Sequence, residues 1–134
     1  MVEPLHALLY TSQLASGTPI QAVAAVIGPS RTHNRADRIT GLLVFDGSGF
    51  VQYLEGPAAA LEDCLQRIAQ DPRHTAFRLA YRGTVATEAR RFAGFGLGYA
   101  VADGPLPSEA IALLDGDTAL QRFLDLLPAL DLHA

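Results

Sequence analysis

The sequence predicts an α+β sandwich: two helices laid on one face of a mixed sheet, followed by a C-terminal helical extension. Three observations carry that prediction. Short apolar runs and helical stretches follow the order β-α-β-β-α-β-β. A glycine-rich tetrapeptide, Asp46-Gly47-Ser48-Gly49, joins two apolar runs as a hairpin. The segment from 107 to 131 has apolar residues at helical rather than strand spacing.

Taken in order, "LHALLYTS" (5–12) is apolar enough for a strand buried on both faces. In "SGTPIQAVAAVIGPS", Thr18 is a helix N-cap, Pro19 the first helical position and Gly-Pro the stop, giving a helix over 19–27. "SRTHNRADR" is a polar connection holding three of the ten basic residues, all of which are arginine. "ITGLLVFDGSGFVQYLEG" is the hairpin. A second helix covers "PAAALEDCLQRIAQD", with Ala60, Leu61, Cys64, Leu65 and Ile68 on one face. "TAFRLAYRGTV" and "FGLGYAV" are two further strands. Residues 107–131 form two short helices split by Asp115-Gly116-Asp117, and their stripe of Leu120, Phe123, Leu124 and Leu127 covers the otherwise open sheet face. This order is the ferredoxin-like one, in which the first and third strands lie side by side at the centre of the sheet.

Composition limits the function classes. A chain of 134 residues, 49% hydrophobic and 18% charged, is one globular domain. A net charge of −4 without a single lysine argues against nucleic acid as a partner. One cysteine, Cys64, excludes an internal disulfide and fits a reducing compartment. The start "MVEPLHALLY" has no basic region, and no apolar run approaches the roughly 20 residues a bilayer needs, so a cytoplasmic protein without a membrane segment is expected. Four scattered histidines and one cysteine offer no metal-ligand spacing. No nucleophile is paired with a base, so the chain is not expected to be an enzyme. "GFGLG" (94–98) lies on a strand and lacks the spacing of a phosphate-binding fingerprint.

"FVQYLEGP" (50–57) poses the functional question. Strand alternation sets Phe50, Gln52 and Leu54 on one face and Val51, Tyr53 and Glu55 on the other. Burying an unpaired amide costs about 1–3 kcal/mol, so Gln52 needs a polar partner. Tyr10, on the neighbouring first strand, can supply one. Residue pattern alone leaves two readings of that pair open: a structural hydrogen bond in the core, or part of a ligand site.

The segments "LLYTS" with Tyr10, "SRTHN" with Asn34, "ITGLL", "FVQYLEGP" with Gln52, and "DPRH" at 71–74 occur together and in order. In this the chain resembles a BLUF domain over residues 4–101, the family of blue-light sensors that bind FAD. The resemblance implies a photosensor domain over 1–101 and a C-terminal cap over 102–134 that packs on the sheet. It implies a flavin held without a covalent bond between the two helices, against Phe50, Leu54 and Ile68. Asn34 then matches the residue whose carboxamide meets ring N3–H and O4. Arg67 and Asp71 match positions near the O2 end of the ring, although the same pair also reads as a surface i, i+4 ion pair. Ser30, Arg31 and His33 match contacts to the ribityl and phosphate part. Tyr10 and Gln52 become the photochemical pair.

Phe95 and Leu97 stand where the family carries a tryptophan and a methionine that relay the signal. The resemblance therefore implies a blue-light photoreceptor that acts through a downstream effector protein or a homo-oligomer. The alternative is a flavin-binding regulatory module whose light signalling is impaired by those two replacements.

Overall fold

The computed structural model describes residues 5–19, 38–85, 90–101, 104 and 106–133. The predicted helix over 19–27 falls outside the described residues, apart from Pro19. The remaining elements are β1 (Leu5–Leu14), β2 (Thr40–Phe45), β3 (Gly49–Pro57), α1 (Ala58–Ala69), β4 (His74–Val85), β5 (Phe95–Ala100), α2 (Pro107–Ile111), α3 (Gly116–Leu126) and β6 (Leu130–His133). No helix among the described residues is long and apolar enough to cross a membrane.

The six strands form one mixed sheet in the order β4-β1-β3-β2-β5-β6, with β1 and β3 adjacent as expected. Every neighbouring pair is antiparallel except β2 and β5. Period-2 alternation sorts the side chains between two cores. On one face, Leu8, Ile39 and Leu54 meet Leu61 and Cys64 of α1. On the other, Leu9, Tyr53 and Val51 meet Ile111 of α2 and Ala119, Leu120, Phe123 and Leu126 of α3. The ring of Tyr53 stacks on that of Phe123 with centroids 6.2 Å apart. The alanine-rich first turn of α1 follows from high helix propensity, and its buried stripe from the i, i+3 spacing of Leu61 and Cys64.

The C-terminal stretch departs from the sequence expectation, because it does not stay helical to 131. Instead α3 ends at Leu126, one 3-10 turn covers Leu127–Ala129, and β6 follows. Pro128 has no N–H to continue the helix, and Leu130-Asp131-Leu132-His133 alternates with a period of two. The glycines of "GFGLG", by contrast, find a structural reason. A Cβ on Gly96 would sit 3.2 Å from Leu42, and one on Gly98 2.9 Å from Leu132, so the bare backbone lets β5 lie close to its neighbours.

Candidate photoactive site

Tyr10 and Gln52 are directly opposite in the β1–β3 ladder and point to the α1 face. The Tyr10 hydroxyl donates to Oε1 of Gln52 at 2.5 Å, with both residues buried at 4% and 5% exposure. The bond engages Oε1, and the Nε2 end of the same amide carries two N–H donors. Burial pushes the Tyr10 phenol well above the usual tyrosine range, and the nearby Cys64 and Asp71 push it further in the same direction. Tyr10 therefore holds its proton and acts as donor.

Local irregularity aims the phenol. The β1–β4 register slips between Leu9 and Tyr10 and again between Thr11 and Gln13, so bulges flank the tyrosine. The Phe77 ring lies 4.9 Å from that of Tyr10. His74, next to Tyr10 with ring centroids 6.2 Å apart, is a clamp that sequence reasoning misses beyond its place in "DPRH". Its Nδ1 lies 2.7 Å from the Ser12 hydroxyl, and its Nε2 reaches the Ile68 carbonyl oxygen. A carbonyl only accepts, so Nε2 donates to Ile68, and in the neutral ring Nδ1 then accepts from Ser12. The imidazole thus ties the end of α1 to the strand that carries Tyr10.

Leu54 is buried and Ile68 half-buried in the cluster under α1, to which Phe95 also belongs. Phe50 packs against Phe45 with centroids 4.9 Å apart, and Leu97 joins them at 8% exposure. The structure thus brings Tyr10, Phe50, Gln52, Leu54, Ile68, Phe95 and Leu97 to one face of the sheet. Arg67 is exposed on α1. Asp71 lies beyond the end of α1 and does not form the i, i+4 ion pair with Arg67. It takes Arg73 instead, at 2.9 Å from Nε and 2.5 Å from Nη2, which holds its carboxyl below the usual range. Two residues of spacing with an intervening turn let the guanidinium fork close on the carboxylate. Ser30, Arg31, His33 and Asn34 lie outside the described residues.

On the opposite face of β3, Glu55 is fully buried and accepts from the Tyr53 hydroxyl and the Phe92 N–H, each at 2.9 Å. Arg91 donates to the same Tyr53 oxygen at 3.0 Å, and Arg90 to the Thr40 hydroxyl at 2.8 Å. This network fastens the segment leading into β5 to the strand that carries Gln52. The only hint in the sequence is a carboxylate at a position where alternation calls for an apolar residue.

In class, this is a small α+β domain with a buried phenol–amide pair at its centre and an apolar wall from helix and sheet around it. A family model described as "Sensors of blue-light using FAD" matches residues 5–98. The chain belongs to this family, the BLUF family. It is similar to the blue light- and temperature-regulated antirepressor BluF of Escherichia coli, 34% identical over 70 residues, which cover 52% of this chain and 17% of that protein. Among solved structures, BlrB in its dark state aligns with a TM-score of 0.62 at 25% identity, covering 94% of this chain and 87% of that one. Klebsiella pneumoniae BlrP1 aligns with a TM-score of 0.68 at 31% identity, covering 93% of this chain and 32% of that one.

The residues present fit a flavin. A buried amide can present its N–H donors to an external oxygen or nitrogen, and the apolar wall suits a planar ring.

Proposed function

We propose that this chain is a blue-light photoreceptor that holds FAD without a covalent bond and reports light through Tyr10 and Gln52 to a partner protein or a self-associated form. The observation that carries the reading is the buried Tyr10–Gln52 hydrogen bond, set on the same sheet face as the apolar cluster under α1. Phe50, Leu54 and Ile68 would line the ring, Asn34 would hold its polar edge, Arg67 and Asp71 its O2 end, and Ser30, Arg31 and His33 the ribityl and phosphate part.

Bound flavin would supply blue-light absorption and an acceptor for one electron, with Tyr10 as its donor. Its phenol becomes strongly acidic on losing the electron, and the existing O–H to Oε1 bond is the proton's route to Gln52. When electron and proton return, the amide can come to rest rotated or tautomerised. Its two ends are nearly isosteric and opposite in hydrogen-bond character, so the network changes while the packing stays. That altered network biases the sheet toward a second state. No bond in a substrate is made or broken, so the chain acts as a sensor rather than an enzyme.

The test is an absorption spectrum before and after blue light. Purified protein should be yellow and shift reversibly to the red; Tyr10→Phe and Gln52→Ala should keep flavin and lose that shift. A wild-type shift in either variant would contradict the assigned roles, and colourless protein that takes up no flavin would refute the proposal. Yellow protein without a reversible shift would point instead to a flavin-binding module whose signalling is impaired at Phe95 and Leu97.

A further inference from the structure

β6 is the outermost strand, hydrogen-bonded to β5 on one side and unpaired on the other among the described residues. Such an edge presents a row of N–H and C=O groups to any second strand. Apolar exposure also gathers at this corner. Of the large apolar side chains exposed among the described residues, Tyr99, Val101 and Leu132 belong to β5, its end and β6, with Leu132 46% exposed.

We propose that β6 pairs antiparallel with β6 of a second copy of this chain across a two-fold axis at Leu132, joining the two sheets edge to edge. The register follows from self-complementarity. With Leu132 opposite its own copy, Asp131 of each chain faces His133 of the other, because opposed positions move in opposite directions along antiparallel strands. Asp131 and His133 share one face, where His133 Nε2 already lies 3.2 Å from Asp131 Oδ2 within the chain. The two Leu132 side chains meet on the other face. Sheet faces match only for slips of two residues, and the neighbouring register, centred on Asp131, would set two carboxylates directly opposite each other.

This edge contact rests on the self-associated form proposed above and gives it a geometry. It is measured in the dark on flavin-bound protein, so its failure would leave light sensing untouched, and a missing red shift would leave the contact untouched. Sedimentation equilibrium across micromolar to millimolar protein should show a reversible dimer. His133→Asp, which places carboxylates opposite carboxylates, should weaken it by about tenfold or more. The swap Asp131→His with His133→Asp again sets an imidazole opposite each carboxylate and should restore the dimer. Both side chains are more than half exposed, so the variants should fold, as circular dichroism would check. A monomer at every concentration, a dimer indifferent to His133→Asp, or a swap that fails to rescue would each overturn the proposal.

Discussion

Replacing Glu55 by alanine removes the acceptor that holds the β5 approach to β3, and the geometry around it sets the size of the effect. The residue is fully buried and receives the Tyr53 hydroxyl and the Phe92 N–H, each at 2.9 Å. Leaving those two donors unpaired costs about 1–3 kcal/mol each, and the space vacated by the side chain adds to it. A total of roughly 3–5 kcal/mol is expected, in the range for breaking a buried polar network. For a domain of this size each kcal/mol lowers Tm by about 3–5 °C, so a fall of roughly 10–25 °C follows. Glu55→Gln keeps the volume and one acceptor oxygen but offers an NH2 to the other donor, so it should lose about 1–2 kcal/mol.

Urea unfolding followed by circular dichroism measures both variants against wild type. Gln52 lies on the opposite face of β3, and its bond to Tyr10 is untouched by either change. The Glu55→Gln protein should therefore keep the red shift proposed for wild type. An alanine variant within about 0.5 kcal/mol of wild type would refute the reasoning, since that is the spread of a neutral surface change. A glutamine variant as unstable as the alanine one would do the same.

Asp46 gives a pH-dependent prediction. Burial by itself would raise its carboxyl, but hydrogen bonds from Ser108, Gly49 and Ser48 outweigh burial and hold it below the usual range. A folded value below the unfolded one, about 3.9, means that its stabilisation is full above that pH and is lost as pH falls toward the folded value. Asp46→Asn should be less stable than wild type at neutral pH, with the gap in Tm closing below about pH 4; a constant gap down to pH 3 would contradict this. At Gly41, in "ITGLL", an added Cβ would sit 1.9 Å from the Tyr53 carbonyl oxygen. Gly41→Ala should cost about 3 kcal/mol through forced displacement of β3, read as a lower urea midpoint, and an unchanged midpoint would show that the strand yields freely.

Much of the candidate site is legible in the order and spacing of residues. Alternation assigns Gln52 to the Phe50 and Leu54 face, and the element order makes β1 and β3 neighbours, so the Tyr10–Gln52 meeting is derivable in outline. The Asp71 partner is not. Spacing favours Arg67, but α1 stops at Ala69 and the turn delivers Arg73 to the carboxylate. The His74 clamp is equally hidden, since its partners Ser12 and Ile68 come from two different elements. A histidine in a turn carries no local mark of what it will reach.

Features that depend on a few neighbouring residues can be read from the chain without its fold: strand and helix periods, the glycine hairpin, the α1 and α3 stripes, and the face each side chain takes. Features that depend on long-range registration emerge only once the chain is folded. Folding sets the phenol of Tyr10 opposite an amide 42 residues away, joins Glu55 to Phe92 across the sheet, and turns the last residues from helix to edge strand. Local preference is encoded within a turn or two of chain, whereas pairing across a sheet is selected by the packing of both faces at once, and no single segment carries that information.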